Sequence, residues 1–165
     1  MGSAEVAIRR AGEADWPAIW TILEPIIREG ETLSLPRDGD EAVGRAYFAS
    51  PGKTNFVAED ASGVLGASYI RANQLGGGAH VANCGYITAP AARGRGIARA
   101  LCVHSIETAR SMGFRAIQFN FVVSSNAPAV HLWTSLGFET LAHLPGAFHH
   151  PRLGYVDALV MFRSV

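Results

Sequence analysis

Residues 81–112 constrain the fold of this chain more than any other stretch. An apolar run over residues 81–87 leads into Thr88-Ala89-Pro90-Ala91-Ala92-Arg93-Gly94-Arg95-Gly96-Ile97-Ala98, and helical apolar spacing follows over residues 97–112. A strand, a glycine turn and a helix in that order present backbone N–H groups at a helix N-terminus. The first donors of a helix lack internal partners there, and the helix dipole favours an anion. Gly94 and Gly96 let the backbone approach a phosphate closely, while Arg93, Arg95 and Arg99 add positive charge. Two other phosphate patterns are excluded. A dinucleotide-binding G-x-G-x-x-G needs Gly or Ala where Arg99 stands, and a Walker loop needs Gly-Lys followed by Ser or Thr, which occurs nowhere. An arginine-rich surface turn capping a helix is the competing reading of these residues alone.

A second pattern follows at residues 126–138, Asn126-Ala127-Pro128-Ala129-Val130-His131-Leu132-Trp133-Thr134-Ser135-Leu136-Gly137-Phe138. Asn126 suits a helix N-cap, Pro128 the first turn and Gly137 the C-terminal stop. Arg-x-x-Gly-x-Ala over residues 93–98, then this Asn-to-Gly-Phe helix, resemble motifs A and B of the GCN5-related N-acetyltransferases (GNAT), in family order with a strand between. The resemblance implies that residues 93–98, together with Ile87 and Thr88, hold acetyl-CoA, with the pyrophosphate on Arg93, Gly94, Arg95, Gly96, Ile97 and Ala98. Asn126 and Trp133 would lie along its arm.

The remaining periodicity predicts a strand at residues 5–10 and a helix at 14–28, kinked or interrupted near Pro25. A loop over 29–40 and a short helix over 41–49 come next. A hairpin pairs 54–59 with 64–71, and a Gly76-Gly77-Gly78 turn precedes the strand 80–87. Strands are expected at 116–123, 139–143 and 159–163, with a loop over 144–155. The expected architecture is one α/β domain over residues 1–165. Its mixed, mostly antiparallel sheet is splayed at a central parallel strand pair and flanked by helices, as in the GNAT fold.

Composition agrees with one globular domain: 165 residues, 48% hydrophobic, 17% charged, net charge zero. The balance is uneven, because residues 61–138 carry six arginines (Arg71, Arg93, Arg95, Arg99, Arg110, Arg115) against Glu107 alone. A local positive segment suits a small anionic cofactor. No lysine-rich stripe with interleaved aromatics suggests nucleic acid, and no run suggests a membrane span. Met1 to Glu5 lack the apolar core of a signal peptide, and Cys84 and Cys102 are expected as free thiols in a cytoplasmic protein. A homodimer is compatible with the family.

The chemistry implied by the resemblance is attack of a substrate amine on the acetyl thioester. The pantetheine arm would pair with residues 83–88, whose N–H groups near Tyr86 to Thr88 would face the developing oxyanion. A well-placed donor of that kind contributes about 3 kcal/mol. Gly85 either allows a close approach there or relieves crowding in a buried strand. Many relatives have a general-acid Tyr where this chain has Trp133, whose N–H does not ionise. Water is then the first candidate to protonate the thiolate and Tyr86 the second. Neither active-site strand carries Asp or Glu, only the amides Asn83, Gln118 and Asn120, so the amine is expected to lose its proton to water. His80, His143, His149 and His150 are the candidate bases by residue type, and the adjacent pair before Pro151 is no metal signature.

A finer pattern comprises residues 80–85 (His80 to Gly85), Phe119-Asn120-Phe121-Val122, Ser125-Asn126, Trp133 and Val156-Asp157-Ala158. It is similar to the fungal azetidine-2-carboxylate (proline-analogue) N-acetyltransferases over roughly residues 54–162. That resemblance implies that Asn83 and Asn120 hold a small imino acid, that Asn126 lies by the cofactor arm, and that Trp at position 133 is usual. Buried amides satisfying backbone groups are the alternative for both asparagines. Loop position adds Glu31 or Thr32 for the amine and Arg71 for a carboxylate. Rival readings are an aminoglycoside or polyamine acetyltransferase, a protein acetylase, and a non-catalytic acyl-CoA-binding module. The first wants an acid-lined pocket, the second an open groove, and the third would leave the amides without function.

Overall fold

The computed structural model describes residues 5–165. They run as β1 (Ala7–Arg10), α1 (Trp16–Glu29), α2 (Glu41–Phe48), β2 (Thr54–Asp60), β3 (Gly63–Ala72), β4 (Val81–Thr88), α3 (Ile97–Ser111), β5 (Ala116–Val123), α4 (Ala127–Ser135), β6 (Glu139–His150) and β7 (Gly154–Ser164). The strands form one sheet in the order β1-β2-β3-β4-β5-β7-β6. Five of the six neighbouring pairs are antiparallel, whereas the α3 crossover makes β4 and β5 parallel. That parallel contact is brief. Val81 pairs with Ala116 and Ala82 with Ile117, and no later pair forms among the described residues. The sheet therefore forks above Ala82.

Each face of the sheet is covered by helices whose apolar spacing matches it. In α1, Ile19, Ile22, Leu23, Ile26 and Ile27 recur at helical intervals and pack with Phe48 of α2 on Val57, Ala67, Tyr69 and Ile87. On the other face, Cys102, Ile106 and Ala109 of α3 and Trp133 of α4 pack on Cys84, Ile117, Phe119 and Met161. Burial of each large side chain stabilises by about 1.5–3 kcal/mol relative to exposure.

The structure corrects three expectations. First, α1 is not interrupted at Pro25. Buried Ile22, Leu23, Ile26 and Ile27 flank the proline and anchor both sides, so packing outweighs one lost backbone hydrogen bond. Second, residues 144–155 are not a long loop: β6 and β7 pair from Glu139↔Phe162 to His150↔Gly154. The Pro145-Gly146 break is absorbed as an irregularity between Leu144 and Phe148. Third, Asn126 precedes α4 but makes no side-chain capping hydrogen bond. The expectation for Met1 to Ser3 and Ala4 lies outside the described residues, and no described helix is long and apolar enough to cross a membrane.

Candidate active site

The fork between β4 and β5 holds a cavity of about 320 Å³. Asn83, Cys84, Gly85 and Tyr86 of β4 line one wall, and residues 119–123 of β5 the other. Asn126, Ala129 and Trp133 close the α4 side. Thr32, Leu33, Ser34, Tyr47, Tyr69 and Arg71 close the side of α1 and α2. The cavity thus passes through the sheet and connects its two faces.

At one end of the fork, β4 runs through Thr88 into the turn before α3. Gly94 and Gly96 both adopt φ +78°, a left-handed conformation that costs other L-residues about 1–2 kcal/mol. Gly96 is the N-cap of α3 and has no side chain to occupy the helix's first donors. A side chain at either glycine would meet nothing within 4 Å, so the cradle is open. The arginines are partly engaged already. Arg95 pairs with Asp60 at 2.7 Å, Arg93 lies 3.8 Å from Glu29, and Arg99 donates to Ser135 Oγ at 2.8 Å. Arg95, helped by Ser62, holds the Asp60 carboxyl down at about 2.

In the middle of the fork, Trp133 is 8% exposed and its ring lies 5.0 Å from Tyr86 and 5.3 Å from Phe119. The environment of the Tyr86 hydroxyl disfavours the acid role considered for it. It is buried without a hydrogen-bond partner, beside Cys84, Cys102 and Ser105, and burial pushes its pKa well up. A phenol so raised is a poorer proton donor. Cys84 and Cys102 are free and buried, and burial raises them to about 12 and 11. Neither is a reactive thiolate.

The far end gathers amides and phenols. Asn83 is 7% exposed; its Nδ2 donates to the Gln118 carbonyl at 3.0 Å, and its Oδ1 accepts from Tyr69 Oη at 3.4 Å. It sits one residue past the last parallel pair and links the two strands where they part. Asn120 lies at a β-bulge, since Phe119 pairs with Met161 but Val122 pairs with Leu159. The bulge leaves Asn120 exposed on the cavity wall. Arg71 is the one charged residue lining the cavity and has no ion-pair partner among the described residues.

Two further expectations change here. Glu31 does not line the cavity, because Arg152 binds it at 2.8 Å and His150 Nε2 lies 4.0 Å away. His150 ends β6, buried, and its Nδ1 accepts from the N–H groups of Arg152 and Leu153 in the following turn. Thr32 does line the cavity. Gly85 resolves to the crowding reading: it faces Tyr69 across β3–β4, and a Cβ there would lie 2.3 Å from that ring.

Sequence reasoning missed Tyr47, Tyr69 and Lys53. Tyr69 stands edge-on to Phe48 and Tyr47, and Lys53 lies 4.2 Å over its ring while donating to the Tyr47 carbonyl. Burial, then the Arg71 charge, lowers Lys53 to about 8. The available signal was Tyr69 two residues before Arg71, hence on the same face of β3.

A family model described as the Acetyltransferase (GNAT) family matches residues 16–138, three quarters of the chain. The chain belongs to the GNAT acetyltransferases. This family uses acetyl-CoA, and its motif A and motif B positions fall on the α3 cradle and the α4 wall. A GCN5-related N-acetyltransferase from Kribbella flavida superposes with a TM-score of 0.91 at 44% identity, covering 97% of this chain and 98% of that one. The N-acetyltransferase aca1 of Schizosaccharomyces pombe is 34% identical over 98 residues, 59% of this chain and 47% of that protein. The matched segment thus spans about half the length of that curated relative. yncA from Salmonella typhimurium, solved with its cofactor acetyl-CoA, shares the fold at a TM-score of 0.84 and 24% identity over 98% of this chain and 94% of that one.

The GNAT cofactor fits these residues. The left-handed glycines and uncapped α3 N-terminus offer donors to a pyrophosphate, and the β5-facing side of residues 83–88 has no strand partner among the described residues.

Proposed function

We propose that this protein transfers the acetyl group of acetyl-CoA to the amine of a small amino or imino acid, a proline analogue being the best candidate. The observation that carries the substrate class is the charge of the cavity: Arg71 is its only charged lining residue, and no carboxylate lines it. A carboxylate-bearing amine gains a partner in Arg71, whereas a polyamine or aminoglycoside meets an uncompensated cation. The finer sequence resemblance, with Asn83 and Asn120 on facing walls, points the same way.

When bound, acetyl-CoA supplies a thioester with a thiolate leaving group. Gly94, Gly96 and the α3 N-terminus would hold the pyrophosphate, and Ile87, Thr88, Asn126 and Trp133 the arm. Backbone N–H groups of β4 beside the fork would stabilise the oxyanion formed when the amine attacks. Asn83 and Asn120 orient the acceptor, with Arg71 and Thr32 at its rim. Among the described residues no carboxylate or histidine lines the cavity, so water would take the amine proton and would supply one to the departing thiolate. Positioning in the fork does most of the work. The cytoplasmic setting, consistent with two thiols that remain free, and a homodimer belong to the same proposal.

The test is thiol release from acetyl-CoA with azetidine-2-carboxylate, proline, hydroxyproline, ordinary amino acids, polyamines and an aminoglycoside. Turnover with amino or imino acids, abolished for the corresponding amides and weakened by Arg71→Ala, is expected. Turnover confined to polycations would refute the substrate class. Tight acetyl-CoA binding without turnover on any amine would refute the enzyme in favour of a binding module.

A further inference from the structure

Asn73 stands outside the cavity, yet it is tied to the cavity wall. It follows the last residue of β3, where its backbone N–H donates to the Val81 carbonyl at 2.8 Å. Its side chain reaches over β4 to β5: Asn120 Nδ2 donates to Asn73 Oδ1 at 2.7 Å. Gln118 Nε2 in turn donates to Asn120 Oδ1 at 3.0 Å. Two amides therefore grip Asn120 from opposite ends. A primary amide has two N–H donors and two oxygen lone pairs, so Asn120 keeps one donor and one lone pair unused. If the Asn120 amide alone were turned over, its NH2 would face the Gln118 donor and its oxygen the Asn73 oxygen. The three amides are therefore oriented as a set, and Asn120 cannot turn alone without losing both of its bonds.

We infer that Asn73 is a positioning residue for the acceptor: by holding Asn120, it sets which amide atoms the cavity wall presents to the incoming amine. The inference rests on the acceptor site proposed above and extends it to a residue outside the cavity. Stability is a poor explanation for the ladder. Asn120 is exposed and Asn73 and Gln118 are half-buried, so water can replace each partner at little net loss. Rotation of Asn120 at its bulge is what water cannot restrain. The Asn73–Asn120 and Asn83–Gln118 bonds are also the side-chain hydrogen bonds that join β3–β4 to β5 across the fork, among the described residues. Both end on the short stretch of β5 that forms the wall.

The experiment is a double-mutant cycle on the full chain with the best acceptor of the panel: Asn73→Ala, Asn120→Ala and the pair. Asn73→Ala should raise the acceptor KM about fivefold, the size of one lost hydrogen bond, with acetyl-CoA KM and Tm unchanged. In the Asn120→Ala background, removing Asn73 should change nothing further. If Asn120→Ala is too slow for kinetics, acceptor affinity by calorimetry in the presence of coenzyme A closes the same cycle. An unchanged acceptor KM in Asn73→Ala overturns the inference. So do effects that add in the double variant, or an acetyl-CoA KM that rises as much as the acceptor's. Failure of the underlying reading shows elsewhere: wild-type protein inactive on every amino and imino acid removes the acceptor site itself, and the inference with it.

Discussion

Gly85→Ala tests whether the floor of the fork is packed as tightly as its geometry states. The added Cβ would lie 2.3 Å from Tyr69 Cε1, 2.7 Å from Cζ and 2.9 Å from Oη. Contact between carbons is comfortable only beyond about 3.5 Å, so the ring must move by roughly 1 Å or the strands must part. The ring has little room. It is 6% exposed, edge-on to Phe48 at 5.4 Å and to Tyr47 at 5.9 Å, with Lys53 over its face. Overpacking of this kind costs about 1–3 kcal/mol. For a domain of this size that is a Tm lower by about 3–10 °C.

The same displacement acts on function, because Tyr69 Oη is the donor to Asn83 Oδ1. Acceptor KM should therefore rise in Gly85→Ala more than acetyl-CoA KM does. Calorimetry and initial rates read both effects. Tyr69→Leu removes the ring edge that collides, so Gly85→Ala should be nearly neutral for Tm in that background. Two results would refute the argument from contact. One is a Gly85→Ala protein that melts within about a degree of wild type, well short of the shift expected from overpacking. The other is a Gly85→Ala change that costs as much stability in the Tyr69→Leu background as in the wild-type protein.

Trp133→Phe keeps the aromatic packing on Tyr86 and Phe119 but removes the indole N–H, so kcat should stay within about twofold if water protonates the thiolate; a loss of about tenfold in initial rate would show that the indole N–H donates a hydrogen bond needed for the reaction. Asp60 has a folded pKa of about 2 against an ordinary 3.8, so its stabilisation is complete above about pH 4 and is lost as pH falls towards 2. Asp60→Asn should flatten that part of the Tm–pH curve relative to wild type. Lys53 has the same sign of linkage in an alkaline window. Its folded pKa of about 8 lies below 10.5, so the folded state binds fewer protons in that window and wild-type stability gains from this group as pH rises from 8 to 10.5. Lys53→Met should remove that gain, and a wild-type-minus-variant difference that does not change with pH would contradict it.

What the sequence made legible is what its backbone needs locally. Gly94 and Gly96 occupy left-handed positions in a turn whose two flanking elements are adjacent in the chain, so the proposed cofactor cradle could be read from that one short segment. The fork follows from β4-α3-β5 connectivity, which is equally local. Residues 144–155 misled because Pro145-Gly146 normally ends a strand, and only pairing with β7 shows that a bulge absorbs them. Glu31 was placed near the acceptor by loop position, but its partners Arg152 and His150 come from a distant hairpin.

The acceptor end is non-local throughout. Tyr69 meets Gly85 through the β3–β4 register, Asn83 reaches Gln118 across the fork, and Asn73 finds Asn120 over an intervening strand. A register shift by one residue would turn each of those side chains to the other face while leaving the local pattern of every strand intact. The donor half is thus built from backbone conformation and the acceptor half from side chains brought together by pairing. Substitutions in β3 and β5 can therefore change the acceptor while the cradle of α3 keeps its cofactor. The family likeness consequently speaks for acetyl-CoA with more force than for any one amine, and the amine proposed here is argued from Arg71, Asn83 and Asn120.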